Sequence, residues 1–233
     1  MKIDPRMIND FFPFLVFLTI SIIAMVGSYY SLKKQKAKMK EIALKLGLEF
    51  KENDFLSFKN PNTRSYTGYH SPSDAGFDIQ GIAKKIMAAF SPWQVIGKYN
   101  GYSIIIKTER KDKKSFTIVQ LNFERPLGMG LNIVMGNMIS RIGKNIFGKQ
   151  SISTGNPDLD SKVYISGQDE MKVKYLIKRP EFQQMLLSLY NKYPGIRVDD
   201  NGITYKEKKV LTEYAAYKTL LDSLSGAAKA FAG

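Results

Sequence analysis

The chain has 233 residues, 44% of them hydrophobic, which leaves room for one or two domains with a packed core and excludes a disordered protein. Its formal net charge is +14 and it has no cysteine. Disulfides, thiolate metal sites and cysteine nucleophiles are therefore excluded, while the charge favours acidic partners: lipid headgroups, nucleic acid or an acidic protein surface.

Residues 1–30 carry none of the excess, because Asp4 and Asp10 balance Lys2 and Arg6. Within them, FFPFLVFLTISIIAMVGSYY runs from Phe11 to Tyr30 without a charge. At about 1.5 Å per residue it matches a hydrocarbon core of about 30 Å, which predicts a transmembrane helix. Pro13 is expected in its first turn, and Tyr29 and Tyr30 stand where interfacial aromatics belong. Lys33, Lys34, Lys36, Lys38 and Lys40 follow at once. That basic flank should stay in the cytoplasm, placing the N-terminus outside and the large domain inside. A weak n-region and positive charge on the far side of the apolar run argue against a cleaved signal peptide. Later segments are too short or too polar to span, so a single-pass protein of the cell (inner) membrane is expected. The expected organisation is an extracytoplasmic tail 1–10, a span 11–30, a basic juxtamembrane helix 31–47 and a cytoplasmic domain 48–233, with a candidate sub-boundary near 148–157.

Beyond the span, Leu32, Met39, Ile42, Ala43 and Leu46 recur at helical spacing, and Gly47 suits a C-cap. A short strand is expected at Leu48–Phe50, a loop at Asn60–Ser73 and a helix at 74–90. In WQVIGKYNGYSIIIKTER, two β-branched and aromatic runs flank Asn100-Gly101, a pair that accepts the positive φ angles of a type I′ turn. A hairpin is predicted there, followed by a charged turn at Glu109–Lys114 and strands at Phe116–Phe123 and Leu131–Met135. The second half offers a basic amphipathic segment, Gly136–Phe147, then turn-forming residues 150–157 and a strand at Val163–Ser166. Helices are predicted at Asp169–Lys178 and Pro180–Lys192, a hairpin of Ile196–Val198 with Ile203–Tyr205, and a last helix over Val210–Phe231. Strands and helices in this order, without βαβ alternation, predict an α+β fold with a mainly antiparallel sheet and packed helices.

The stretches GKYNGYSIII, SFTIVQLNF, STGNPDLDSKVYISG and the helical tail from Tyr175 resemble a group of uncharacterised, single-pass, membrane-anchored prokaryotic proteins with a cytoplasmic α+β domain. The resemblance spans residues 93–231 and implies an anchored domain without an established activity. Pro126-Leu-Gly-Met-Gly130 departs from the bulkier turn of that group.

Few constellations point to chemistry. Asn156-Pro-Asp-Leu-Asp160 resembles half a calcium loop, but an EF-hand needs glycine at its sixth position and glutamate at its twelfth, where Ser161 and Gly167 stand. A turn entering a strand, with Asp160 bonded to backbone near the strand start, is the better reading. Gly128-Met-Gly130 fits neither a dinucleotide fingerprint nor a P-loop and is expected to be a flexible connection. His70 has no histidine or cysteine partner in sequence. Ser31-Leu-Lys-Lys34 matches S-x-x-K beside the span, without the companion motifs. No catalytic, metal or cofactor-binding residue is assigned, and no cofactor is expected.

Two amphipathic pieces remain. Gly136–Phe147 suits either an anionic lipid surface or the cover of a sheet. In the last helix Val210, Tyr214, Tyr217, Leu221, Leu224, Ala228 and Phe231 form a heptad seam, which can pack on the domain or dock a partner helix. Basic residues elsewhere are scattered without a helix-turn-helix, zinc finger or RNP motif, so nucleic acid is not the expected partner. Membrane lipid is, together with another membrane protein or a second copy of the chain. The expected role is a protein-interaction or accessory subunit of a membrane complex. An anionic-lipid module is the alternative, and an enzyme with a site not visible in sequence comes behind it.

Overall fold

A computed structural model describes residues 5–52, 93–112, 114–135 and 151–232. The chain divides into two compact units, residues 1–38 with 52–92 and residues 39–51 with 93–233. The predicted loop Asn60–Ser73, the helix 74–90, His70 and the segment Gly136–Phe147 lie outside the described residues.

The described part of the first unit is helical. Helix α1 runs Pro5–Lys45, and one segment of it is long and apolar enough to cross a membrane. None of the apolar window is buried, with Phe17 70% and Ile23 71% exposed. By length and composition a signal sequence would satisfy the same condition. The helix begins earlier than the expected span, so residues 5–10 are helical and Pro13 lies inside the helix, not in its first turn. Pro5 takes the first position instead, where a missing N–H does no harm.

The second unit opens with the end of α1, where Met39, Ile42, Ala43 and Leu46 are buried in the core. Gly47, at φ +69°, closes the helix as predicted: its N–H donates to Leu44 O and the Leu48 N–H to Ala43 O, satisfying carbonyls the helix leaves open. The strands are β1 (Glu49–Glu52), β2 (Trp93–Tyr99), β3 (Tyr102–Lys111), β4 (Lys114–Asn122), β5 (Asn132–Met135), β6 (Val163–Ser166), β7 (Ile196–Asp199) and β8 (Gly202–Glu207). They form one sheet in the order β1-β2-β3-β4-β8-β7-β5-β6, antiparallel at each pairing from β2 to β6. Four more helices are found among the described residues of this unit: α2 (Pro157–Asp160), α3 (Glu170–Ile177), α4 (Pro180–Lys192) and α5 (Tyr214–Ala232). The fold is α+β.

Register aligns the apolar rows that carry the main core. Gly97, Ile104, Leu121, Ile203, Val198, Ile133 and Ile165 are cross-strand neighbours over seven strands, and Val95, Ile106, Val119, Tyr205 and Ile196 form a second row. A slip by one residue would turn both rows to the opposite face, where Gln120, Thr204 and Arg197 stand in line. Val173 of α3, Phe182 and Leu186 of α4, and Tyr217, Leu221 and Leu224 of α5 join the apolar rows in a single cluster. Fully buried Tyr190 donates its hydroxyl to Ile133 O at 3.0 Å, which satisfies the polar tip, and burial pushes its phenol pKa well up.

Asn100 and Gly101 take φ +49° and +90°, the type I′ turn read from the sequence. The charged turn expected at Glu109–Lys114 is much tighter. Backbone pairing continues to Lys111 opposite Lys114, and Asp112 turns the chain at φ +51°, a conformation Asp tolerates better than most residues. The last helix also starts later than expected, at Tyr214, which leaves Val210 outside it. Buried Thr117 is the cause: its backbone N–H and hydroxyl both donate to Lys209 O, and its Oγ1 accepts from the Leu211 N–H at 2.9 Å. Those bonds hold residues 209–211 extended against β4 and keep them from joining α5.

Candidate functional site

The basic flank is only partly free. Lys33, Lys34 and Lys40 are exposed, Lys38 is half-buried and Lys36 is buried, while Lys40 Nζ lies 5.2 Å from the Phe50 ring centroid. Tyr29 and Tyr30 lie edge to face at 5.5 Å, with Tyr30 64% exposed. Phe11 and Ser31–Lys34 are part of α1.

Most of the heptad seam is closed to a partner helix, and only its end at Ala228 and Phe231 borders a cleft. Tyr217, Leu221, Leu224 and Ala228 are fully buried and Phe231 nearly so, all inside the domain's own core. Tyr214 packs against its edge, and Val210 is half-buried outside the helix. The apolar rows of the sheet are the nearest surface able to cover such a seam, and they claim it. Polar groups of α5 fix the helix lengthwise. Asp222 accepts from Tyr99 Oη at 2.7 Å and pairs with Lys218 Nζ at 2.8 Å, and Asn100 donates to Ser225 Oγ at 3.2 Å. Lys218 and then Tyr99 hold the Asp222 carboxyl below its ordinary pKa.

Neither loop with a chemical look is open for a ligand. Asn156 caps α2 by accepting from the Asp158 and Leu159 N–H groups. Asp160 turns back to Ser153 Oγ at 2.6 Å and to the backbone and hydroxyl of Thr154 at 2.8 and 2.7 Å, rather than to the start of β6 as expected. Burial pushes the Asp160 carboxyl up, but the hydrogen bonds from Ser153, Thr154 and Gly155 outweigh it and hold the group below its ordinary 3.8. A depressed folded pKa contributes stability that is present above 3.8 and lost as pH falls through the folded value. Asp160→Asn should therefore destabilise the protein at about pH 7 and by progressively less as pH falls below 3.8. Urea unfolding of both proteins across that range checks it, and a pH-independent difference refutes it. Among the described residues no three His, Asp or Glu side chains cluster as a metal would need.

The glycine loop is rigid, contrary to the flexible connection expected. Gly128 and Gly130 take φ +66° and +63°, and the N–H groups of Gly130 and Leu131 both donate to the Asp200 carboxylate at 2.7 Å. Leu127 N–H donates to Asp200 O, Phe123 N–H to Asn201 O, and Met129 O accepts from Gln168 and Asp169. A Cβ on Gly130 would come within 2.5 Å of the Gln168 side chain. The loop thus presents backbone donors to an anion, as a phosphate loop does, but the anion is the protein's own carboxylate.

That pinned loop walls a pair of adjoining clefts. A cleft of about 560 Å³ lies among the Asn100-Gly101 turn, the loop 123–129 and the end of α5 at Ala228, Lys229 and Phe231. A second of about 470 Å³ is lined by Met129, Met171, Lys172, Tyr175, Leu176, Arg179 and Phe231. Met129 and Phe231 belong to both, so the two form one groove with a ridge between them. Phe231 is held in place by Phe123 at 5.4 Å and Phe182 at 4.8 Å, centroid to centroid. The lip is apolar and unusually open, with Met171 82% and Tyr175 79% exposed. Around it stand Arg125, Lys229, Lys172 and Arg179, with Glu124 the acid among the lining residues. Lys172 is paired with Asp169, but among the described residues Arg125, Arg179 and Lys229 have no ion-pair partner. Sequence reasoning missed this site because its residues come from four separate segments. The only sign was Phe231, the last seam residue.

These features define an α+β domain with an open, basic-rimmed apolar groove, following an apolar helix. Compared with protein-family models, curated proteins and solved structures, the chain matches none of them.

Proposed function

We propose that the chain is a single-pass membrane protein whose α+β domain docks a second protein, as an accessory subunit of a membrane complex. In this reading it is akin to the anchored prokaryotic proteins its motifs resemble. The observation that carries the proposal is the groove over Met129 and Phe231: a rigid apolar ridge with exposed Met171 and Tyr175 beside it is the composition of an interface core, where aromatic, Met and Arg side chains concentrate. The unburied apolar segment of α1 supports the anchor, and the lysines behind it support a cell (inner) membrane with the N-terminus outside and the domain in the cytoplasm.

Crosslinking in native membranes before gentle solubilisation should yield a heteromeric species containing this chain. External protease on intact cells should leave residues 48–233 uncut until the membrane is broken. Recovery as a lone monomer at native abundance would overturn the docking role, and cleavage of the domain from outside would overturn the orientation.

A further inference from the structure

We propose that the groove takes an acidic amphipathic segment of a partner protein, which sets one apolar side chain in each cleft, on either side of Phe231, and its carboxylates against the rim. This rests on the docking role above and names the chemistry of what is docked. Shape favours a peptide. Two clefts of about 560 and 470 Å³ share a ridge, which suits two anchoring side chains on one face of an extended or helical segment. Rigidity favours it as well, since Met129 is clamped by backbone bonds from Gln168 and Asp169, and Phe231 by two aromatic neighbours. Little ordering is then needed on this side when a ligand binds.

Charge selects the sign. Arg125 and Lys229 flank the first cleft, Lys172 and Arg179 the second; Glu124 lines the first and Asp169 pairs with Lys172, and the other three cations lack an ion-pair partner among the described residues. Arg125 and Arg179 can each engage a carboxylate through two parallel N–H donors. A basic segment would meet repulsion from Arg125 and Lys229 at one end and from Arg179 at the other, and an uncharged one would leave these three without a counter-charge.

The test uses the full chain in nanodiscs of zwitterionic lipid. The probes are two fluorescein-labelled peptides of about 14 residues, with Leu and Phe at i, i+4 spacing on a Glu background or on a Lys background. The Glu peptide should bind about tenfold tighter than the Lys peptide or better, and more weakly as salt rises. The double substitution R125E/R179E should weaken it by about tenfold or more. Met171→Glu, at a side chain too exposed to matter for folding, should weaken it independently. Equal binding of the two peptides would overturn the proposal, as would indifference to both sets of substitutions. So would displacement of the Glu peptide by phosphatidylglycerol vesicles at lipid concentrations where zwitterionic vesicles leave it bound, because the groove would then be a lipid site. If the peptides fail while crosslinking still captures a partner, the docking role stands and only this assignment falls.

Discussion

Asp200→Ala should lower the free energy of unfolding by about 3 kcal/mol, from the loss of two hydrogen bonds to a charged acceptor and the desolvated donors left behind. Both bonds are 2.7 Å long, and one donor belongs to Leu131, which is only 2% exposed, so water cannot readily replace the carboxylate there. Asp200→Asn keeps one acceptor oxygen and should lose about half as much. Trp93, the single tryptophan, is buried and stacked on Phe50 at 5.8 Å, which makes its fluorescence a reporter of the domain in urea titrations of the full chain. The Asp200 backbone carbonyl still holds Leu127 in the Ala variant, so the sheet should be retained, but loss of the bonds to Gly130 and Leu131 frees the loop beside Met129 and should weaken binding of the acidic peptide. An unfolding midpoint equal to that of the wild type would mean that the glycine loop holds its shape without the carboxylate.

The Asp200 arrangement shows where sequence reading reached its limit. Local signals specified local structure well: the Asn100-Gly101 turn, the Gly47 cap and Pro180 at the start of α4 all stand where spacing put them. Each depends on bonds within a few residues. Gly128-Met-Gly130 was read as flexible because its partner lies 70 residues away, in a turn with two adjacent aspartates of which only the second reaches the loop. The start of α5 was misplaced for the same reason, since Thr117, on β4, competes for the backbone of Lys209 and Leu211. The groove is further out of reach still. Phe231, Met129, Arg125 and Arg179 carry no shared period, and only the fold brings them together.

The heptad seam offers the sharper contrast, because its pattern was legible and what covers it was not. Leu221→Ala should cost about 3 kcal/mol, the loss of transfer free energy plus the cavity left where the side chain is fully buried. Val210→Ala, at a half-buried site outside the helix, should cost less than about 1 kcal/mol although the heptad gives the two positions equal rank. Trp93 fluorescence in urea reads both. A seam left free for a partner helix would behave in the opposite way: Leu221→Ala would leave the unfolding midpoint unchanged and instead abolish a crosslinked partner. A fully buried side chain cannot serve two surfaces at once. Variants in the seam should therefore lose stability, while variants on the groove rim at Arg125 or Met171 should lose binding of the acidic peptide and leave the unfolding midpoint unchanged.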